Sequence, residues 1–483
     1  MLFFVKNQFN IVNILFSLSL VLINLQCAPA KLNGTCDPES ESFVLSALLE
    51  FGSTDGSYLC PIFSGLNPLR LDYGTDFLVI KQGEPIVTLK PFVSEPIDRC
   101  ESSPSMPFGL VLDESNCSIS GTPLTGLNST KFMITASNRT KQTTFPLVIK
   151  SLFIPKFAFV ANVGSGLINS YTINATTGAL NAGGFVAAGG GPESMAISSD
   201  QKYLTVANRN TNNLSHFSIN PINGNLTIIG TVPSGGNTPV SVVYHPSKNL
   251  FYVSNADNFA TFSVNPLTGN LTLENTIPKI HASGSAIVNP LGNFLYDTFY
   301  SGNMIESYRI DSTTGILSPN LTQVIPSDIR PKKLAFHANG KTLYVIYDTN
   351  SNITTYQVDT NTGFMSPVFP LTPSTGVVSG SIASDPLGRF LYITNRDTNT
   401  ISMYGNMPLS GELIPLSPNS VATATEPLGI TVDPSGKFLY NTNIADSTVG
   451  IFIINQTNGS LTSNGTVGTS TSPAVIVTAG TNP

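Results

Sequence analysis

Apolar and polar residues alternate in short runs through most of this chain, and the runs recur in a fixed order. Tyr203-Leu-Thr-Val-Ala-Asn208, Leu214 to Asn220 and Leu226 to Val232 each show a period of two, as does the stretch from Glu193 to Ser198 before them. That period predicts half-buried or fully buried strands, four to a unit, with Asn, Thr, Ser, Gly and Pro filling the turns. The unit returns seven times between Phe157 and Leu461, punctuated by Gly178, Gly224, Gly269, Gly315, Gly363, Gly411 and Gly459 at spacings of 46, 45, 46, 48, 48 and 48. Seven four-stranded units of this length predict an all-β, seven-bladed β-propeller over residues 154–480.

The first unit begins at a second strand, Phe157-Ala-Phe-Val-Ala-Asn162, while Pro473-Ala-Val-Ile-Val-Thr478 has the pattern of an inner strand with nothing after it. The expectation is that the C-terminal strand pairs beside Phe157–Ala161 and closes the first blade, which removes the exposed sheet edges of an open ring. In this arrangement turns such as Asp433-Pro-Ser-Gly436 lie on a lower face. The loops after Asn208, Asn255, Asn395 and Asn443, and those before Pro192, Pro239, Pro331 and Pro427, lie on an upper face where ligands are expected.

Ahead of the repeats the pattern changes twice. Residues 28–66 read as a small helical cap: Asp37 as N-cap, Pro38 at the first helical position, Glu39 and Glu41 near the positive end of the helix dipole, and Phe43, Val44, Ala47, Leu48 and Phe51 on one face before Gly52. Residues 67–150 read as a β-sandwich, with strands at Pro107-Phe-Gly-Leu-Val-Leu-Asp113, Ile119-Ser-Gly-Thr-Pro123 and Phe132-Met-Ile-Thr-Ala-Ser-Asn138, and Phe145-Pro-Leu-Val-Ile149 as the last. These segments resemble the Ig-like domains of bacterial surface proteins, a resemblance that implies a spacer or adhesive unit. Besides Cys27, four cysteines, Cys36, Cys60, Cys100 and Cys117, precede the propeller, which has none. Nearest neighbours would pair Cys36 with Cys60 and Cys100 with Cys117, although four cysteines allow three connectivities. Each short bridge would contribute roughly 2–4 kcal/mol.

Residues 1–27 read as a targeting segment, with Lys6 ahead of an apolar stretch from Ile11 to Gln26. Three readings compete. Leu25-Gln26-Cys27 resembles a lipobox, in which Cys27 would carry the lipid and tie an exported protein to a bacterial membrane. Ala28-Pro29-Ala30 offers a small-x-small cleavage site releasing a soluble product, and the third reading is an uncleaved anchor helix. Export agrees with the even cysteine set, which suits an oxidising compartment.

Composition narrows the partners. Only 11% of residues are charged, and the net charge is -6 with a pI near 5.3. Such a chain lacks the basic face that nucleic acid requires, and no Lys/Arg cluster marks an anionic membrane surface. Contact with a membrane would run through the N-terminal lipid alone. The numerous Asn-x-Ser/Thr triplets, Asn225-Leu-Thr227 among them, read as turn residues entering outer strands.

The turns and second strands Asn289-Pro-Leu-Gly-Asn-Phe-Leu-Tyr296, Asp385-Pro-Leu-Gly-Arg-Phe-Leu-Tyr392 and Asp433-Pro-Ser-Gly-Lys-Phe-Leu-Tyr440 carry a second resemblance. They are similar to the seven-bladed lactonase family, to which phosphogluconolactonase-like proteins belong, and to Tyr-Val-Thr-Asn surface repeats. Lactonase-like members often place histidine after the proline that opens an inner strand. Here those positions hold Glu193, Val240, Lys332, Leu428 and Ala474, with Gly284 and Gly380 in the other two.

Two functions follow as expectations. The first is a non-catalytic, exported surface protein whose propeller mouth binds a partner, a glycan or an extracellular polymer, with Arg209, Lys332, Arg396, Asp397 and Glu426 as the binding residues. Arginines there suit a carboxylate or phosphate held in bidentate fashion. The second is a lactone hydrolase acting on a small lactone, with His281 as general base and Glu193 or Glu426 orienting it. His216, His245 and His337 read as packing or turn residues. No cofactor is expected, a calcium ion held by Glu193 with Asp257 or Asp348 being the single alternative considered.

Overall fold

A computed structural model describes residues 68–124, 129–279, 284–299, 303–324, 330–348, 352–372, 379–406 and 412–481. The targeting segment with Cys27, the helical cap with Cys36 and Cys60, and His281 lie outside the described residues.

Seven four-stranded antiparallel sheets follow one another in chain order from Ile154 to Thr481. The second blade is representative, running from the inner strand Pro192–Ile197 through Tyr203–Asn208 and Asn213–Ile219 to the outer strand Leu226–Pro233. Its second strand is buried along its whole length while its outer strand is largely turned to solvent, because both faces of the inner part of each blade pack against neighbouring blades. The C-terminal strand Pro473–Thr481 lies innermost in the first blade and pairs antiparallel with Ile154–Asn162, so head and tail of the ring share one sheet. One hydrophobic cluster joins Ala158, Val160, Tyr171 and Ile476 of the first blade to Phe438, Tyr440, Val449 and Ile451 of the seventh.

The motif glycines and the Phe-Leu-Tyr segments prove to be two halves of one clasp. Tyr392 Oη donates to the Gly459 carbonyl at 2.8 Å, Tyr296 to Gly363 at 3.0 Å, Tyr252 to Gly315 at 2.8 Å, and Tyr440 to Gly178 at 2.9 Å. Each bond reaches from one blade to the outer turn of the next, and the last crosses the ring seam. Gly459 has φ +76° and would place a Cβ 2.2 Å from the Phe390 ring, so conformation and close approach both demand glycine.

The lower turns are locked by side chains. Asp433 Oδ1 accepts the N–H groups of Lys437 and Phe438 at 2.8 and 2.6 Å, and Asn289 Oδ1 does the same for Asn293 and Phe294 at 3.0 and 3.1 Å. His245 takes this place in the third blade: Nδ1 accepts from Ser247 and Lys248 at 3.1 and 3.0 Å, and Nε2 donates to the Gly292 carbonyl of the next blade at 3.0 Å. His337 Nδ1 accepts from Asn339 at 3.0 Å. His216 is buried within the second blade, bonded to the Thr205 hydroxyl at 2.9 Å and stacked on Tyr203.

These three histidines set a pH dependence. Burial pushes the His216 and His245 imidazoles down from 6.5 to about 4, and burial shifts His337 in the same direction. The unfolded chain takes up these protons below about pH 6.5, whereas the folded ring refuses those of His216 and His245 until about pH 4. The associated stability is complete above pH 6.5 and is lost as the pH falls toward 4, on the order of 3 kcal/mol at most for each of the two larger shifts. Urea unfolding across this window should show that slope. His245→Asn, which installs the side chain Asn289 uses in the next blade, should reduce it; an unchanged slope would refute the assignment.

The N-terminal module has its own core around Phe132, Ile134, Leu147 and Ile149. Its four-stranded sheet sets Phe77–Lys81 parallel to Gln142–Leu152, followed by Thr130–Ser137 and Arg99–Ser103. Two short ribbons, Leu71–Asp72 with Phe92–Val93 and Leu110–Leu112 with Ile119–Gly121, complete it. Cys100 and Cys117 form a disulfide as expected, with Cα atoms 5.4 Å apart.

Candidate functional site at the upper mouth

The upper mouth is built from irregularities at the starts of the inner strands. Register breaks between Pro192 and Ser194, Pro331 and Lys333, Ser379 and Ile382, Pro427 and Ile430, and Pro473 and Val475. The bulged residues include Glu193, Lys332, Gly380, Leu428 and Ala474, the positions singled out in the sequence. A bulge turns a side chain out of the ladder, here at the rim of the ring.

Most rim charges are committed in pairs. Glu193 Oε2 lies 3.8 Å from an Arg209 guanidinium nitrogen, and Glu426 Oε2 lies 3.6 Å from that of Arg396, each pair roughly half-exposed. Lys332 Nζ is 3.0 Å from Asp348 Oδ1 and also donates to the Ser379 carbonyl at 2.8 Å, tying the fifth blade to the sixth. Asp397 is exposed in the loop that carries Arg396. Half-exposed pairs of this kind contribute about 0–1 kcal/mol and exchange readily with an incoming ligand.

Lys333 differs from the others. It belongs to the inner strand Pro331–Phe336, is partly buried, and has no hydrogen bond or ion pair among the described residues. Burial holds its ammonium below the usual lysine value, Glu193 opposes that shift, and Lys332 adds to it. Glu193 belongs to the second blade and Lys333 to the fifth, so the two charges act on each other from separate blades.

A fourth pair is buried outright. Lys279 Nζ lies 3.0 Å from Asp297 Oδ2, 2.5 Å from Ser254 Oγ and 3.4 Å from the Phe259 ring centroid, with both charged side chains almost wholly out of solvent. Beside it Tyr308 Oη donates to Glu306 Oε2 at 2.7 Å. Burial lowers the Lys279 ammonium and Asp297 works against that loss. Sequence reasoning missed this group, although Asp297 interrupts the apolar run Phe294-Leu-Tyr-Asp-Thr-Phe299 and a charge in a middle strand requires a counter-ion. Lys279 anchors the connector two residues before His281.

The carboxylates considered for calcium do not converge. Glu193 is paired with Arg209 and Asp348 with Lys332, while Asp257 accepts the backbone and side-chain N–H groups of Asn237 at 2.9 and 2.7 Å. Among the described residues no group of three or more His, Cys, Asp or Glu is placed to hold a metal ion. Among the described residues the mouth therefore offers the Lys333 ammonium without a hydrogen bond or ion pair, the Glu193 carboxylate acting on it, and Arg209 and Arg396 in loose pairs. That set can recognise a hydroxylated acid or its lactone.

A family described as a lactonase with a seven-bladed β-propeller matches residues 186–288 and 278–478. No curated protein matches the chain. Among solved structures, a candidate 6-phosphogluconolactonase from Bacteroides uniformis superposes with a TM-score of 0.61 at 19% identity, covering 68% of this chain and 100% of that one. A second candidate 6-phosphogluconolactonase, from Bacteroides fragilis, gives 0.60 at 18%, covering 68% and 98%. The periplasmic gluconolactonase of Pseudomonas aeruginosa gives 0.59 at 20%, covering 67% and 99%. At these identities the likeness is one of fold.

Proposed function

The chain belongs to the lactonase family of seven-bladed β-propellers, and on that premise we propose that it is an exported surface protein whose propeller mouth binds acidic, hydroxylated ligands without turning them over. The observation that carries this reading is Lys333, an ammonium left unpaired among the described residues, with Glu193, the loose partner of Arg209, acting on it. A carboxylate or phosphate on a sugar-like ligand would neutralise Lys333, and Arg209 or Arg396 would exchange its internal partner for the ligand. Turnover would require a base positioned on a water. The three described histidines are engaged inside blades or in lower turns.

Export and lipid attachment at Cys27 are part of the proposal. The apolar N-terminal segment and the Cys100–Cys117 bridge support them. Family membership favours a second reading, lactone hydrolysis at this same mouth with Glu193 and His281.

Calorimetric titration with an aldonate and its aldonolactone separates the two readings. Binding should weaken about tenfold or more in Lys333→Met, the equivalent of about 1.4 kcal/mol, and the lactone should open no faster than in buffer. Protein-dependent opening lost in His281→Ala or Glu193→Ala would establish the hydrolase instead.

A further inference from the structure

The N-terminal module is docked against the lower face of the ring. Asp76 of the module pairs with Lys341 of a lower turn at 2.8 Å, and the strand Gln142–Leu152 runs on to the first propeller strand at Ile154. A cavity of about 390 Å³ lies at this junction. Its walls come from the module, through Ser129 and Lys150, and from five blades of the ring, through residues such as Gln201, His245, Thr431 and Thr478.

Lys150 is the one charged side chain lining this space among the described residues, and it makes no hydrogen bond or ion pair with any of them. The other polar groups are largely engaged: both His245 nitrogens are bonded, and Gln201 accepts from the Gly480 N–H at 3.0 Å while donating to the Ser198 carbonyl at 3.3 Å. Among the described residues no acid lines the wall to balance the ammonium. Burial accordingly holds Lys150 below the usual lysine value, with no opposing charge at work. A partly buried ammonium with no counter-ion among the described residues is costly to keep.

We propose that this junction chamber is a second binding site, specific for a phosphate group, in which Lys150 supplies the charge and the hydroxyls of Ser129, Thr431 and Thr478 supply hydrogen bonds. The volume admits either inorganic phosphate or the phosphate end of a small sugar phosphate. The site lies at the foot of the ring, between two parts of the chain, and is distinct from the upper mouth. A bound anion would stand beside the Lys150 ammonium and oppose the shift that burial imposes on it. It would also fasten the module to the ring, since ligand contacts come from both.

The test uses the full chain and its thermal unfolding. Inorganic phosphate and a hexose 6-phosphate are the two probes. At saturation at least one should raise the melting temperature of the native protein by roughly 2–4 °C, and which one succeeds identifies the source of the phosphate. Lys150→Met should abolish the rise and, in phosphate-free buffer, melt no lower than the native protein. Lys333→Met, at the upper mouth, should keep the full rise and so separates the two sites. The proposal is overturned if neither probe stabilises the protein, if Lys150→Met responds as the native chain does, or if it melts lower in phosphate-free buffer, which would reveal a structural partner for the amine.

Discussion

A chain ending at Ser472 should fail to form a monomeric propeller. Residues 473–481 supply the inner strand of the first blade, and its pairing with Ile154–Asn162 is the ladder that joins the two ends of the ring. Their removal strips Ile476 and Ala479 from two hydrophobic clusters, one shared with the seventh blade and one with the second. It also exposes the hydrogen-bonding edge of a wholly apolar strand, Phe157-Ala-Phe-Val-Ala161, to pairing with other molecules. The loss should exceed the whole stability of a domain, about 5–15 kcal/mol. The expected result is insoluble or aggregated protein by size-exclusion chromatography, with solubility recovered when a peptide spanning 471–483 is supplied during refolding. A truncated monomer with the cooperative melt of the intact chain would show that the ring closes elsewhere.

The second large effect is expected at Asp297. Asp297→Ala leaves the Lys279 ammonium buried against Phe259 without its carboxylate, which should cost about 3–5 kcal/mol. Replacing both partners with apolar residues, Lys279→Met with Asp297→Leu, should recover most of that loss, because the desolvation penalty disappears with the charges. Denaturant titration of the single and double variants reads this directly. A mild effect in Asp297→Ala would mean that water reaches the amine. Lys279 immediately precedes the connector that bears His281, so the same pair fixes where that connector leaves the third blade.

The ring was legible because its signals are repeated and local. Alternating runs, a glycine every 45 to 48 residues and a displaced C-terminal strand each followed from strand periodicity and edge closure. The physical reason for the Phe-Leu-Tyr and Thr-Gly pattern was not legible. The tyrosine and the glycine it meets lie 63 to 67 residues apart in adjacent blades, as for Tyr252 with Gly315 and Tyr392 with Gly459, and 262 residues apart across the seam for Tyr440 with Gly178. The turn roles of His245 and His337 were readable because other repeats carry Asp or Asn at the same place. The mouth was legible only in part. Position after the inner-strand proline picked out Glu193 and Lys332, yet the sequence could not show that Lys332 is spent on Asp348 while its neighbour Lys333 is left unpaired among the described residues. Nor could it pair Lys279 with Asp297 or bring Lys150 under the ring, because both depend on contacts between separate units of the fold.

The claim that the mouth binds without catalysis is tested most directly by following aldonolactone opening by nuclear magnetic resonance, with the full-length protein present at the concentration of the ligand. The account predicts ligand resonances broadened or shifted by the native protein but not by Lys333→Met, and an opening rate equal to that in buffer. A rate raised by the native protein and returned to the buffer value in His281→Ala would contradict it and make the mouth an active site.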